Sequence, residues 1–330
     1  MVNEKTYIVG AGSPIIDILV NVEDAFLKQI GAEKGGMVLT DDATIRRTLE
    51  QLKSQISKVP GGSAGNTIFG LAELGMPTAF LGKLGRDTDG DLYRDLLVQK
   101  GGKSDLFRYS DSIHTGCCLS MITPDSERTM RPSLGAASEF VLDDIDPEDF
   151  ESARHLHIEG YLLYMPGMVE KLVATAKSKG CTVSIDFASF EVVRNCKQQL
   201  IELLPKLDIV FANEEEAAEF CGIGNSPEAM AEEIGKIVPV VAVKLGKDGS
   251  IIKSASGIER ISACPVAAVD TTGAGDLWQS GFLFGWLNDY SIAEAARFGS
   301  IIAAEVVKVI GSKIPDDRWR QIFKNMGIKE

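Results

Sequence analysis

Apolar and polar residues alternate along the second half of the chain in a pattern that predicts strands and helices in turn. Short apolar runs at 155–158, 181–186, 209–212 and 240–245 are separated by helical patterns at 168–179, 198–204, 214–221 and 228–238. Such near-continuous apolar runs are typical of buried parallel strands, and the intervening helices then cover both faces of the sheet. We therefore expect an α/β fold whose ligands bind beyond the carboxyl ends of the strands.

The first half of the chain predicts a more varied set of elements. Extended runs occur at 6–9, 15–20 and 78–84. Helical patterns occur at 41–56 and 87–99, and another helical pattern between them ends at 74. Residues 115–131 alternate in polarity, which is typical of a β-hairpin, and its turn is expected at 124–126. Two more helical patterns, 291–310 and 315–326, come late in the sequence. No internal repeat or linker divides it, so we expect a single domain over residues 1–330.

The stretch from 266 to 287 joins an apolar run to an apolar helix through a glycine-rich turn. We interpret Val266–Val269 as a strand, after which Asp270-Thr-Thr-Gly-Ala-Gly-Asp276 leads directly into the helix. The glycines let a ligand approach the backbone, and the free N–H groups and dipole at a helix start favour an anion such as phosphate. Asp276 falls in the first turn, where a carboxylate can take the proton of an attacking hydroxyl. An ordinary turn, with an acidic residue that complements the helix dipole, is the alternative.

A second glycine-led helix start occurs at Gly61-Gly62-Ser63-Ala64-Gly65-Asn66. The paired glycines again open the backbone to a ligand, and Asn66 offers both a donor and an acceptor. Asp17 stands alone in an apolar extended run, which is costly unless its carboxylate is paired or faces a polar ligand. Asp17 and Asn66 together would suit a vicinal diol. A loop with an N-cap, and a structural aspartate at a turn, are the alternative interpretations.

Further polar residues lie near the ends of predicted strands. Asn213 and Glu216 share one face of a first helical turn, where they could orient Mg²⁺-bound waters and phosphate or simply form a capping box. Lys244 ends a strand before a glycine turn, which could equally be a plain hairpin. Arg128 could reach a phosphate from the 115–131 hairpin, although a solvated surface arginine is the ordinary alternative.

Spacing excludes several other kinds of site. Gly10-Ala11-Gly12-Ser13-Pro14 lacks the third glycine of a dinucleotide-binding turn. Gly101-Gly102-Lys103-Ser104 ends a helix, whereas a P-loop begins one. His155, His157 and Glu159 alternate on one strand, but no further clustered ligand completes a metal site.

Composition narrows the class of protein. The 330 residues are 45% hydrophobic and 25% charged, as in ordinary globular proteins, and the net charge of −13 argues against nucleic acid or an anionic membrane as the main partner. The six cysteines include no CxxC pair and indicate a reducing compartment. No signal peptide is visible in MVNEKTYIVG, and the longest apolar stretch, 277–287, is too short to span a bilayer. We expect a cytoplasmic protein.

Three ordered motifs, GGSAGN at 61–66, NEEE at 213–216 and DTTGAGD at 270–276, make the chain resemble the ribokinase-like (PfkB) family of carbohydrate and nucleoside kinases. The resemblance covers essentially the whole length. Within the family the chain looks most like bacterial adenosine kinases, on the evidence of GSPIIDI at 12–18, KGGMVL at 34–39, TGCCLSMITPDSERTM at 115–130 and HIEGY at 157–161. Ser13 and Arg131 depart from that pattern, since such kinases tend to carry Asn and a smaller residue there.

The resemblance implies a role for each matching residue on the acceptor side. Asp276 would be the catalytic base, and the N–H groups of Thr272, Gly273, Ala274 and Gly275 would form the anion hole for the transferred phosphoryl group. The residues implied to hold the ribose hydroxyls are Asp17, Gly61, Gly62 and Asn66, with Glu159 as a neighbour. Arg128 would approach the phosphates as a lid closes.

On the nucleotide side the resemblance implies that Asn213 and Glu216 place Mg²⁺, through water, and phosphate. Lys244 and Gly246 would line the ATP cleft. Asp270 and Thr272 match positions near a monovalent cation site, and dependence on K⁺ varies within the family.

The resemblance also implies a fold and an activity. The fold would be a three-layer α/β/α sandwich with a mostly parallel central sheet and a small β-sheet lid, here formed by about 15–40 and 110–131. The activity would be ATP-dependent phosphorylation of a primary hydroxyl on a ribose-bearing substrate, with the adenosine 5′-hydroxyl as first choice. A sugar kinase for ribose, fructose or a related ketose and a non-catalytic nucleoside-binding protein are the alternatives. Both a monomer and a homodimer are compatible with the sequence.

Overall fold

The computed structural model describes residues 6–52, 54–125, 127–222 and 224–328. Its strands are β1 (Tyr7–Ala11), β2 (Ile15–Asn21), β3 (Ile56–Gly61), β4 (Thr78–Gly85), β5 (Phe107–Ser110), β6 (Thr115–Ile122), β7 (Arg128–Gly135), β8 (Ala153–Glu159), β9 (Thr182–Asp186), β10 (Ile209–Asn213), β11 (Val240–Lys244), β12 (Ser250–Ser254) and β13 (Gly257–Ile261). Its α-helices are α1 (Asp24–Gln29), α2 (Asp42–Glu50), α3 (Ser63–Glu73), α4 (Thr88–Gln99), α5 (Met168–Ser178), α6 (Phe190–Asn195), α7 (Lys197–Leu203), α8 (Glu214–Cys221), α9 (Pro227–Gly235), α10 (Ala274–Leu287), α11 (Ile292–Val306) and α12 (Asp316–Met326). Among these residues no helix combines the length and apolar character that crossing a membrane requires.

The large sheet has the strand order β13-β12-β11-β10-β9-β8-β1-β4-β5. Neighbours from β11 through to β5 pair in parallel, and only β12 and β13 are added antiparallel. The carboxyl ends of β8, β9, β10 and β11 therefore meet along one edge of the sheet. The prediction of a mostly parallel central sheet is confirmed.

Two hydrophobic cores sandwich this sheet. Helices α5 to α9 pack on one face, through residues such as Leu172 and Val193. Helices α3, α4, α10, α11 and α12 pack on the other, through residues such as Leu71 and Phe282. The three-layer arrangement follows from strands that are buried on both faces, because each face must be covered by the apolar side of helices.

A second, small sheet has the order β3-β2-β6-β7. β2 pairs antiparallel with β3 and parallel with β6, which in turn pairs antiparallel with β7. Side chains alternate across β2, so that Ile16, Ile18 and Val20 join the core shared with Leu27 of α1 and Ile45 of α2. Asp17 and Leu19 therefore point to the opposite face.

The small sheet differs in extent from the segments 15–40 and 110–131 in which a lid was expected. The structure adds β3 and extends β7 to Gly135, whereas much of 22–40 is helix α1 and irregular chain that lies along β7. The amide of Val38 donates to the carbonyl of Met130 at 3.1 Å, which covers that edge of the sheet. The hairpin of β6 and β7 is confirmed, and Ser126 of its expected turn lies outside the described residues.

Two predicted elements are wrong in detail. The run Val266–Val269 forms no strand: Val266 and Val269 are 37% and 46% exposed, and the segment lies over α11, where the amide of Val269 donates to the carbonyl of Val307. The helix expected over 41–56 ends at Glu50, because residues from Ile56 onward pair with β2 instead. In both places contacts with distant segments override the local apolar pattern.

Candidate active site

The start of helix α10 is built around a glycine that no other residue could replace without strain. Gly273 is the N-cap and has a left-handed conformation with φ of 70°. A Cβ there would also come within 2.6 Å of the Cβ of Ser312. The sharp turn brings Asp276 into the first turn of α10, close to the N-terminus of α3.

Helices α3 and α10 meet at the carboxylate of Asp276. Ser63 donates from its hydroxyl at 2.8 Å, and Asn66 donates from its amide Nδ2 at 2.9 Å. Burial raises the pKa of Asp276 to about 6, the negative charge of Asp186 adds to this rise, and the Asn66 and Ser63 hydrogen bonds oppose it. A carboxylate with such a pKa is ionised at neutral pH and is still basic enough to accept a proton. The sequence singled out Asn66 here but not Ser63.

The backbone amides of the glycine-rich turn have divided roles. The amide of Thr272 donates to the carboxylate of Asp270 at 2.9 Å, and the amide of Ala274 donates to the carbonyl of Thr271 at 3.1 Å. The amides of Gly273 and Gly275 have no acceptor among the described residues. These two donors, at the positive end of the α10 dipole, are the ones available to an anion.

Asp17, Gly61 at the end of β3 and Gly62 at the N-cap of α3 form a second wall beside Asp276. Asp17 is buried, and a Cβ at Gly61 would fall within 2.7 Å of all three atoms of its carboxyl group. Burial raises the pKa of Asp17 to about 6, while Arg128 lowers it and Asp276 raises it. Gly62 has φ of 85°, and a Cβ there would meet the carbonyl oxygen of Ser13 at 2.3 Å. Only glycine therefore lets the backbone approach this closely.

Glu159, at the end of β8, is buried against two backbone segments. Its carboxylate accepts the amide of Ala64 at 3.2 Å and the amide of Ser13 at 3.4 Å. Burial raises its pKa to about 7, against the effect of these two hydrogen bonds. Glu159 thus joins the 12–13 loop to the start of α3. This is a structural role, in addition to the role near the substrate that the sequence predicted.

Arg128, at the start of β7, is a buried cation. Its residue is 8% exposed, its Nε lies 3.6 Å from a carboxylate oxygen of Asp270, and its guanidinium makes no hydrogen bond with the described residues. The two oxygens of Asp270 accept the amides of Thr272 and Gly311. A monovalent cation at Asp270 and Thr272 would therefore have to share carboxylate oxygens of Asp270 that already accept hydrogen bonds. Arg128 instead has free donors in a buried position, which is typical of a group that meets an anionic ligand.

Asn213 and Glu216 form the capping box that was the alternative to a phosphate role. Glu216 accepts the backbone amide and the side-chain amide of Asn213, each at 2.8 Å, and the backbone amide of Glu216 donates back at 2.8 Å. Glu216 is only 3% exposed, and burial together with the charge of Asp186 raises its pKa to about 7.

Lys244, at the end of β11, sits in a buried polar group that the sequence revealed only in part. Its Nζ lies 3.5 Å from both carboxylate oxygens of Asp186, which ends β9, and Gln279 of α10 donates to Asp186 at 2.5 Å. A Cβ at Gly275 would lie 3.2 Å from this Nζ, so the ammonium rests against the glycine-rich turn. Asp186 and Gln279 were not predicted. A carboxylate at the carboxyl end of a buried strand was the available signal for Asp186.

A cavity of about 500 Å³ opens beside this group. Lys244, Gly246 and Gly275 line its polar end. Its apolar wall comes from the segment after β13 and from helices α10 and α11, namely Cys264, Pro265, Val266, Trp278, Ala303, Ala304 and Val307. The exposed valine run that was predicted to be a strand is thus one side of the cavity. An apolar pocket that ends in a lysine and free amides suits a flat ring that carries phosphates.

The described part of the chain has no metal cage made entirely of its own side chains. No group of three or more histidine, cysteine or carboxylate side chains there is arranged to hold an ion. His155 and His157 instead share the hydroxyl of Ser184, at 2.8 and 2.9 Å. Burial lowers the pKa of His157 to about 4, so this pair is neutral.

Comparison with known proteins agrees with this geometry. A model of the pfkB family of carbohydrate kinases matches residues 37–319. The chain belongs to this family. The yeast (Saccharomyces cerevisiae) adenosine kinase is 27% identical over 332 residues, which cover 93% of this chain and 96% of the yeast protein.

Two solved structures extend the likeness to the fold. Adenosine kinase from Sinorhizobium meliloti superposes with a TM-score of 0.84 at 28% identity, covering 96% of this chain and 99% of that one. A probable sugar kinase from Rhizobium etli superposes with a TM-score of 0.86 at 27% identity, covering 98% of this chain and 99% of that one. This kinase is thus an ATP-using phosphotransferase that acts on a hydroxyl group, on a ribokinase-like fold.

Proposed function

We propose that this kinase transfers the γ-phosphate of ATP to the 5′-hydroxyl of adenosine, giving AMP and ADP. The observation that carries the proposal is the position of Asp276. Its carboxylate is held by Ser63 and Asn66 at the start of α10, next to a cavity lined by Gly275 and within electrostatic reach of Asp17. This position supports a role for the carboxylate between ATP bound in that cavity and an acceptor bound near Asp17.

On the acceptor side, Asp17 and Asn66 bind the two ribose hydroxyls, with Gly61 and Gly62 close enough to contact the sugar. One carboxylate and one amide supply the acceptors and the donor that a vicinal diol needs. The face of the small sheet that carries Asp17 also presents Leu19 and Cys118, which are buried yet belong to neither hydrophobic core. Soft apolar side chains of this kind suit the flat base of a nucleoside better than a free sugar.

In the proposed reaction, the 5′-oxygen of the acceptor attacks the γ-phosphorus while the carboxylate of Asp276 accepts the proton of the 5′-hydroxyl. The bond from that phosphorus to the bridging oxygen breaks, and ADP leaves. The amides of Gly273 and Gly275, the ammonium of Lys244 and the guanidinium of Arg128 stabilise the negative charge on the transferred group. Positioning and electrostatic stabilisation of this kind account for most of the catalysis of phosphoryl transfer.

Mg²⁺ fits this site as a companion of ATP and would neutralise charge on the phosphates. Mg²⁺ in kinase sites keeps several waters and needs only one or two carboxylates. Glu216 and Asp186, both buried near Lys244, supply them in our proposal, with Glu216 acting through water and Asn213 fixing its orientation. The role of the small sheet as a lid that excludes water belongs to the same proposal.

An acceptor panel with the purified protein tests the proposal. ATP and Mg²⁺ are supplied with adenosine, 2′-deoxyadenosine, 5′-deoxyadenosine, inosine, ribose and fructose, with and without KCl, and products are identified by ³¹P NMR. Adenosine should give AMP, 5′-deoxyadenosine should give no product, and 2′-deoxyadenosine should react more weakly because half of the diol is missing.

Other outcomes of this panel decide between the alternatives. Preferential phosphorylation of ribose or fructose would replace adenosine with a sugar as the acceptor, as the likeness to the Rhizobium etli protein allows. Tight binding of adenosine with no transfer to any acceptor would refute the proposed reaction and favour a nucleoside-binding protein.

A further inference from the structure

Gln279 is an unusual residue for the middle of an apolar helix. It is fully buried, and its amide nitrogen Nε2 donates to the carboxylate of Asp186 at 2.5 Å. Its carbonyl oxygen Oε1 has no partner among the described residues. A buried acceptor without a partner is destabilising, so stability alone does not account for a glutamine at this position.

The orientation of this amide is determined by its neighbour. If the carbonyl oxygen of Gln279 faced Asp186, two acceptors would oppose each other, so Nε2 must be the group in contact. Gln279 follows Asp276 by three residues and therefore lies on the same face of α10. One helix face thus presents the Asp276 carboxylate to the acceptor side and an amide donor to Asp186.

Asp186 and Lys244 form a pair that is loose for a buried ion pair. The Nζ lies 3.5 Å from each carboxylate oxygen, although a charge-assisted hydrogen bond is usually about 2.7–2.9 Å long. The Gln279 hydrogen bond occupies Oδ2, one of the two oxygens that lie equally far from the ammonium, and the other, Oδ1, accepts the amide of Ala188 at 3.5 Å. Lys244 keeps its N–H groups available to the 500 Å³ cavity that it lines.

We propose that Gln279 is a positioning residue that holds the Asp186 carboxylate away from full contact with Lys244, so that the lysine ammonium remains directed at the phosphates of ATP. The inference rests on the proposed phosphotransfer. It adds a residue that acts through Asp186 and Lys244 and does not itself contact the substrates. Without the amide donor, Asp186 would move onto Lys244 and compete with the phosphates for it.

Several charged groups surround the Asp186–Lys244 pair and affect the pKa values of Lys244 and Asp276. The groups that interact electrostatically with Asp186 or Lys244 are His157 from β8, Tyr161 just after it, Glu216 from α8 and Asp276 from α10. Asp276 in turn interacts with Glu159 and Asp17, and Asp17 with Arg128. Burial disfavours the charge on Lys244, but Asp186, Glu216 and Asp276 outweigh it and raise its pKa. Since Asp186 also raises the pKa of Asp276, a displacement of the Asp186 carboxylate would change that pKa.

Gln279→Leu tests the inference, because leucine keeps much of the volume and removes the donor. We expect affinity for a non-hydrolysable ATP analogue, measured by calorimetry, to fall about tenfold, the amount expected when one hydrogen bond to a charged group is lost. KM for ATP should rise while KM for the acceptor stays constant, and the acid limb of kcat/KM should shift. Gln279→Glu, which keeps the shape but replaces the donor with an acceptor, should be at least as impaired.

Ser280→Ala is the matched control. Ser280 is also fully buried on α10, but its hydroxyl donates only to the carbonyl of Leu277 in its own helix. This variant should bind the ATP analogue as the unmodified protein does, with the same pH profile.

Two results would overturn the inference. One is a Gln279→Leu protein with unchanged ATP-analogue affinity and pH profile. The other is an equal loss of affinity for both substrates together with a lower melting temperature, which would indicate a packing defect. Failure of the proposed function is distinguishable, because an unmodified protein that binds the analogue but phosphorylates no acceptor leaves the calorimetric comparison intact.

Discussion

Ser63 donates a 2.8 Å hydrogen bond to the carboxylate of Asp276, although 213 positions of sequence separate the two residues. The contact joins the first residue of α3 to the first turn of α10, so two glycine-led helix starts converge on one carboxylate. The hydroxyl stabilises the ionised form of Asp276, and it therefore tunes the pH at which the proposed base becomes active.

Ser63→Ala should move the acid limb of kcat/KM to higher pH by about one unit, because a hydrogen bond that lowers the pKa of Asp276 is lost. Steady-state kinetics between pH 5 and 9 would measure the shift. Thr67→Val is the control, since the Thr67 hydroxyl donates to the backbone carbonyl of Asp276 and not to its carboxylate. An unmoved acid limb in Ser63→Ala would show that the titrating group is not Asp276.

Asp276→Asn should lower turnover by a factor of about 100 or more, the usual contribution of a general base. The fold should survive, because an amide oxygen can accept from Asn66 and an amide nitrogen can donate to Ser63. A variant that retained most of its kcat would exclude Asp276 as the base.

The same variant should be more stable than the unmodified protein at pH 8. The folded pKa of Asp276, about 6, lies above its ordinary value of 3.8, so the protonated form is favoured by folding and stability declines as pH rises from about 4 to 6. Above that window the deficit is constant, at about 1–3 kcal/mol. Urea unfolding at pH 8 should show the gain for Asp276→Asn, and the gain should shrink as pH falls from 6 toward 4. An equal gain at every pH would contradict this assignment.

Arg128→Met should reduce turnover by about 100-fold, because a preorganised cation near the transferred phosphate is lost. Some stability should also be lost, since the variant removes the cation 3.6 Å from Asp270, although Asp270 keeps two backbone donors. Arg128→Lys should recover part of the activity by restoring the charge. Paired kinetic and thermal measurements would separate these effects, and full activity in Arg128→Met would show that the arginine does not reach the phosphates.

Ala304→Trp should block the 500 Å³ cavity and raise KM for ATP at least tenfold without changing KM for the acceptor. The substitution places a large ring in the apolar wall that α11 contributes. Ala293→Trp, in the first turn of the same helix and outside the cavity lining, is the matched control. Equal KM values for ATP in the two variants would mean that the nucleotide binds elsewhere.

The large sheet and its helices were predictable because each parallel strand is a short apolar run and each helix repeats its apolar face. Strand β3 was not predictable in this way. Most of its residues are exposed or half-buried, Pro60 lies within it, and it forms by pairing with β2 at the edge of the small sheet. Prolines are tolerated at such edges, where the missing donor faces no partner.

The site was predictable where a glycine turn marked a helix start, as at Gly273 and Gly62. The buried polar group was harder to foresee. Asp186 ends an apolar strand without a motif, and Gln279 is a single amide in an apolar helix, so their contact depends on how α10 crosses the sheet. Capping and Mg²⁺ placement by Asn213 and Glu216 could not be separated by sequence, because the same spacing serves both.

One face of the small sheet, which carries Ile16, Ile18 and Leu119, belongs to the same continuous apolar core as α3, α4 and α10. A rigid-body movement of that sheet would expose this core to solvent. We therefore expect the site to open for substrates only at the rim of the sheet, near Arg128 and the 36–40 segment. Cooperativity follows as well: in a calorimetric scan the small sheet should melt together with the body and give no earlier transition of its own.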